Sequence, residues 1–320
     1  MLKISGVEGP DIPYHLALLG QQFELVEQGD FHFVPLVNHY GTQPDDFIEQ
    51  QEKIASKSKF VVLYDLLNIG DHELEIYKDQ VNKFNHRNKI YLTVNQSPNI
   101  QVNCRVVRWD FMWNRFIAYY HERYFVEGLH HYTPNAYIIP RISLRPFRSK
   151  EFISLYRRRD ILRDALFDVV SHFNGYVSNG PLGITLENNP VPGFKPIDND
   201  FYDDSYFSIY VESNYDRTNL IHLTEKTYDP LIKGHMILPI TNPGAIAYLK
   251  TKGFELPNEI NYSYDNILNQ QTRFDAVIKE FKLLLDCARS VYMENADKIK
   301  HNQNVFREKN YDRSILQIFE

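Results

Sequence analysis

The chain alternates short apolar runs with polar stretches of helical length, and that alternation restricts its folds more than any other feature. Apolar runs occur at Leu2–Ser5, Phe31–Val37, Lys59–Tyr64 and Lys89–Val94, and a further strand is expected at Asn103–Trp109. Strand-length runs spaced by helical segments form parallel sheets with crossover helices. Between them, Asp45–Lys57 and Asp71–Asn85 are polar enough to be surface helices. Leu16, Leu19, Phe23 and Val26 recur at helical spacing and predict a helix over Pro13–Glu27. The expected class is therefore α/β. A length of 320 residues exceeds the usual reach of one hydrophobic core, so two domains are expected.

The pattern breaks at the Pro- and His-containing stretch His130–Tyr137, which reads as a linker. Residues 1–133 and 134–320 are thus expected to form two Rossmann-like domains. The second series reads as a strand at Ala136–Pro140, a basic helix at Ser149–Leu166 and a long loop at Asn179–Tyr202. A strand at Ser205–Val211, a helix near Glu225–Lys233 and a strand at Met236–Ile240 follow. The last part reads as helices at Pro243–Lys252, Phe274–His301 and Gln303–Glu320.

Composition narrows the function classes. Hydrophobic residues make up 43% and charged residues 24%, which excludes wholesale disorder. The formal charge of −6 lacks the basic surplus of a general nucleic-acid binder. Cys104 and Cys287 are far apart and without metal-ligand spacing, so they read as thiols of a reducing compartment. No run approaches the roughly 20 apolar residues of a membrane span. The opening MLKISGVEGPDIPYH lacks the basic region and apolar core of a signal peptide, and a cytoplasmic location is expected. There is no Walker loop, no GxGxxG after a strand, no GxSxG and no HExxH. Asp203-Asp204 and Asp198-Asn199-Asp200 read as solvent-facing turn residues rather than a metal-holding DxD, so no metal and no cofactor is expected.

The stretch from Phe207 to Phe254 carries the most chemistry. A strand ending at Val211 puts Glu212, Ser213 and Asn214 at its carboxyl end, where open α/β sheets bind ligands. Thr224 can cap a helix whose first turn holds Glu225, Lys226 and Thr227. Helix starts offer N–H groups to phosphate, and Lys226 adds a full positive charge there. Gly234 closes the helix before the next strand. Asn242-Pro243-Gly244 then opens another helix, whose amides form a second set beside the first. Elsewhere, Arg141, Arg145 and Arg148 cluster in PRISLRPFRSK. Glu8 and Asp11 lie in the loop Gly6–Asp11, Asp65 follows one strand and His39 another. Any of these four could act as a proton acceptor, and the sequence does not choose among them.

Glu212, Asn214, Thr224-Glu225-Lys226, Gly234 and Pro239 together resemble the donor-binding segment of the α1,3-fucosyltransferase family and related GT-B enzymes, over about fifty residues. Ser213 intervenes where the family spacing between acidic residue and Asn is tighter. The resemblance implies two Rossmann-like domains facing across a cleft, with a nucleotide-diphosphate sugar held by the C-terminal half and an acceptor hydroxyl by the N-terminal half. It implies that Lys226 contacts the diphosphate, with an arginine of the basic cluster, Arg148 or Arg145, and that acidic residues contact ribose or base. The loop Gly6–Asp11 would face the cleft, and the terminal helix 303–320 would pack back on the N-terminal domain. Inverting, metal-independent transfer to a carbohydrate or other hydroxyl is the implied activity. A DNA acceptor fits the acidic net charge less well. A sugar-nucleotide epimerase or hydrolase on the same scaffold, and a non-catalytic nucleotide- or sugar-binding protein, are the alternatives.

Overall fold

The computed structural model describes the chain except for residues 8–10, 39–40, 66–70, 95, 97–99, 111–112, 114–143, 157–158, 185–198, 214, 217–220, 222 and 309–311. Two compact units emerge, residues 1–115 with 311–320, and residues 116–310. The expected linker His130–Tyr137 and strand Ala136–Pro140 lie outside the described residues. Each unit is a Rossmann-like α/β layer built on a parallel sheet.

The first unit contains β1 (Leu2–Ser5), α1 (Asp11–Leu18), β2 (Phe23–Leu25), β3 (Phe31–Pro35) and a small hairpin of β4 (Val37–Asn38) and β5 (Gly41–Thr42). Then come α2 (Asp45–Ala55), β6 (Phe60–Asp65), α3 (Asp71–Lys83), β7 (Lys89–Thr93) and β8 (Arg105–Arg108). The six sheet strands lie in the order β2-β1-β3-β6-β7-β8, all parallel. Both sheet faces are apolar, as buried parallel strands require. Val62, Tyr64 and Leu92 face α1 and the chain's last turn, whereas Val61, Leu63 and Tyr91 face α2 and α3. The expected helix Pro13–Glu27 is corrected: it stops at Leu18, Gly20 takes a positive φ of 74°, and Phe23–Leu25 turn back as an edge strand. A short apolar run satisfies helix and strand spacing equally well, and pairing with β1 decided the matter.

The second unit contains β9 (Lys150–Tyr156), α4 (Ile161–Val170), β10 (Gly175–Asn179), α5 (Asn199–Asp203) and β11 (Ser205–Val211). It continues with α6 (Glu225–Ile232), β12 (Met236–Ile240), α7 (Ala245–Thr251), α8 (Gln270–Leu285), α9 (Ala288–Glu294) and α10 (Ala296–Arg307). Its strands are parallel in the order β10-β9-β11-β12. The chain reverses its direction of progress across the sheet at β1 in one unit and at β9 in the other. The crevice at the carboxyl end of such a switch point is the usual ligand position.

Several expectations fail here for physical reasons. The basic helix Ser149–Leu166 is instead strand β9 followed by α4, because Phe152, Ile153, Leu155 and Tyr156 pack between two neighbouring strands. Asn179, read as the start of a loop, is the last residue of β10, and the loop's other end is helix α5. The long helix Phe274–His301 breaks into α8, α9 and α10 at Asp286-Cys287 and Asn295. The terminal helix Gln303–Glu320 is likewise two pieces, the end of α10 and a 3₁₀ turn at Ser314–Phe319. That turn buries Ile315 and Ile318 in the core of the first unit.

Candidate functional site

β11 ends at Val211, and the backbone N–H of Glu212 still donates to Ile240 O of β12, at 2.9 Å. Glu212 therefore leaves the sheet with its side chain pinned beneath the start of α6. It is fully buried. Its Oε1 accepts from the Thr224 N–H at 2.5 Å and the Thr227 hydroxyl at 3.0 Å. Its Oε2 accepts from the Thr224 hydroxyl at 2.7 Å and from the Ser213 N–H at 3.0 Å. A buried carboxylate is tolerated when donors surround it in this way.

Thr224 caps α6 as its position in the sequence predicts: its backbone is extended and its Oγ1 accepts from the Lys226 N–H. Lys226 sits on the first turn with its side chain 23% exposed. The ammonium lies 3.1 Å from Ser213 Oγ, 3.2 Å from Thr224 Oγ1 and 3.1 Å from Glu225 Oε1, with Glu212 Oε2 at 3.6 Å. Burial opposes ionisation of Glu225, but the Lys226 ammonium and nearby N–H and hydroxyl donors hold its carboxyl below the usual range. The first turn is thus a compact polar knot with one cation and two carboxylates at the carboxyl edge of the sheet. Gly234 closes the element with φ of 78°. Asn214 lies outside the described residues.

The second set of helix-start amides does not stand open. Asp265 takes it, with Oδ1 accepting from Ile246 N at 3.0 Å and Oδ2 from Ala247 N at 3.1 Å. No signal in the sequence near α7 foretells this, because Asp265 arrives from 18 residues downstream.

The arginine cluster is corrected as well. Arg148 precedes β9, so it lies at the amino edge of the sheet, not at a helix entrance. The register pairs Lys150 with Ser205 at the same edge. Seven-residue strands separate that edge from Glu212 by roughly 20 Å at about 3.3 Å per residue. Arg148 is buried, and its guanidinium donates to Tyr202 O at 2.6 Å, to Ser205 O and to the Tyr292 hydroxyl at 2.5 Å. The Tyr292 hydroxyl donates onward to Gly234 O at 3.1 Å. Arg148 therefore braces the amino edge and is not beside Lys226. Arg145 is an exposed residue of the same connection, and Arg141 lies outside the described residues. Asp204, expected to face solvent, instead accepts from Ser149 N and from the Tyr176 hydroxyl, both at 2.8 Å, and joins this edge.

In the first unit, Asp65 is the last residue of β6 and is fully buried. It accepts from the Tyr91 hydroxyl, from Thr93 Oγ1 at 3.1 Å and from Val94 N at 3.3 Å. Burial pushes its carboxyl up to about 7, against the lowering effect of these three donors. Tyr91 and Thr93 share one face of β7, and Thr93 pairs with Asp65 across the ladder. Sequence reasoning found Asp65 and missed both partners, although their two-residue spacing on a strand was a readable signal. Asp11 is the first residue of α1. Glu8 and His39 lie outside the described residues. The switch point of this unit is marked by Gly6, with φ of 71°, where an added Cβ would come within 2.4 Å of Phe33 O.

Among the described residues, no helix is long and apolar enough to cross a membrane. No known family matches the chain, and no curated protein does. Among solved structures, a D-2-hydroxyisocaproate dehydrogenase aligns over 89% of this chain and 95% of its own at 10% identity, with a TM-score of 0.20, too low to carry an argument.

Proposed function

We propose that the chain is a glycosyltransferase of GT-B type that uses a nucleotide-diphosphate sugar, with the diphosphate bound in the second unit and the acceptor hydroxyl in the first. The observation that carries the reading is the position of Lys226: a partly exposed ammonium, fixed on the first turn of α6 at the carboxyl edge of a parallel sheet. Such an edge is where Rossmann-like units take nucleotides. Lys226 already has three oxygen partners, so an incoming phosphate must replace at least one of them. Glu225, a third exposed, is the partner best able to swing away. In the transfer, Lys226 stabilises charge growing on the leaving diphosphate while a carboxylate of the first unit takes the acceptor proton. Glu8, Asp11 and Asp65 are the candidates for that carboxylate; Asp65 is fully buried and engaged by Tyr91, Thr93 and Val94, so it takes the proton only if that cluster opens. Arg148 has no part in this assignment.

The test is a thermal-shift screen of the protein against ADP, CDP, GDP, UDP and their common sugar conjugates, followed by product analysis with hydroxyl acceptors. A ligand that binds only the folded chain raises its melting temperature by mass action. Release of nucleoside diphosphate that depends on the acceptor supports transfer. Release without acceptor indicates a hydrolase, and binding without turnover indicates a binding protein. No shift with any diphosphate overturns the proposal.

A further inference from the structure

The resemblance implies that acidic residues of this segment touch the nucleoside, but the geometry around Glu212 points to another role. We infer that Glu212 is a positioning residue that never touches ligand and acts through Lys226, by locking the start of α6 to the end of β11. The ligand named here rests on the glycosyl-transfer proposal; the lock itself does not.

Four donors and one ammonium converge on this carboxylate, which leaves neither oxygen an open lone-pair direction toward a ligand. Two of the donors, the Thr224 N–H and hydroxyl, belong to the capping residue of α6, and a third, the Thr227 hydroxyl, belongs to its first turn. The fourth, the Ser213 N–H, belongs to the strand end. Ser213 and Thr224 also supply two of the three oxygens that hold the Lys226 ammonium. One carboxylate therefore holds the Thr224 hydroxyl directly and the backbone of Ser213, the two residues whose hydroxyls aim the lysine. Tyr210 extends the lock into the sheet, since its hydroxyl donates to Thr227 Oγ1 at 3.0 Å. Both oxygens must accept, because an amide in place of the carboxylate turns one of them into a donor that faces two donors in either orientation.

The experiment compares wild type, Glu212→Gln, Lys226→Ala and the double variant. Binding of inorganic pyrophosphate and of UDP and GDP is measured by calorimetry, and acylation of Lys226 by an amine-reactive ester is followed by mass spectrometry. The single variants are expected to lose diphosphate affinity to a similar extent, about tenfold or more, and the double variant to lose no more than either. Lys226 in Glu212→Gln should be acylated several-fold faster, while the exposed Lys250 and Lys279 of the same unit keep their rates. Circular dichroism melts of the Gln variant establish that it is folded. Should it fail to fold, Thr227→Val replaces it, because that change removes one donor of the lock and leaves both carboxylates in place. Additive losses of nucleotide affinity would mean that Glu212 contacts ligand itself, and unchanged Lys226 reactivity would mean that it aims nothing. Either result overturns the inference. If the wild type binds no diphosphate, the glycosyl-transfer proposal fails, and the acylation rates alone decide whether Glu212 positions Lys226.

Discussion

At the scale of single residues, the two carboxylates Glu212 and Asp65 are both fully buried, yet their surroundings differ. Glu212 has four hydrogen-bond donors and an ammonium nearby, whereas Asp65 has three donors and no cation among them. The consequence for Asp65 is a pH dependence with a definite sign. Its carboxyl ionises near 3.8 when exposed and near 7 in the fold, so the folded state holds the proton more tightly. The associated stability is fully present below pH 4 and is lost as pH rises toward 7, by a few kcal/mol at most. Asp65→Asn, which mimics the protonated group, should therefore be more stable relative to wild type at pH 8 than at pH 5. Urea unfolding at the two pH values checks this, and equal differences would remove the perturbed carboxyl. At the other site, Lys226→Ala should weaken nucleoside diphosphate binding by roughly 1.5–3 kcal/mol, the value of a charge-assisted hydrogen bond, with the fold intact. Calorimetry would show unchanged affinity if Lys226 merely decorates its helix.

Elements explain why some of these residues were legible and others were not. Thr224 could be read as a cap because capping is local: the residue type and the helix start it precedes lie within a few positions. Thr224→Ala should lower stability by about 1–2 kcal/mol, since it removes the cap and one of the donors to Glu212. A denaturant midpoint equal to that of wild type would speak against both contacts. Arg148 could not be read in this way. Its partners Tyr202, Ser205 and Tyr292 lie 54, 57 and 144 residues away, and no local pattern encodes them. The basic run around it suggested a helix, whereas the neighbouring strands drew residues 150–156 into the sheet. Arg148→Met should destabilise the second unit by about 2–4 kcal/mol by removing the buried guanidinium that ties Tyr202 O, Ser205 O and the Tyr292 hydroxyl together. Diphosphate affinity of the protein that remains folded should not change. A selective loss of affinity at normal stability would return Arg148 to the binding site.

At the scale of the whole molecule, each unit carries its own parallel sheet and its own core. Hydrogen exchange with UDP or GDP should show protection at 212–213 and 224–228 and none at 145–150, since the end of β11 and the first turn of α6 lie at the opposite edge of the sheet from Arg148. Protection at 145–150 equal to that at 224–228 would show that the amino edge responds too. The sequence by itself determined the α/β class, most of the strands and the cap at Thr224. Apolar periodicity, turn residues and capping chemistry act over a few positions and need no distant partner. Only the tertiary structure decided that Phe23–Leu25 and Lys150–Tyr156 are strands, because a strand exists through its neighbour. Only it decided which polar groups are already satisfied: Asp265 on the amides of α7, Glu212 beneath α6 and Arg148 at the amino edge. A buried charge takes its role from the groups folding brings around it, and those come from elsewhere in the chain.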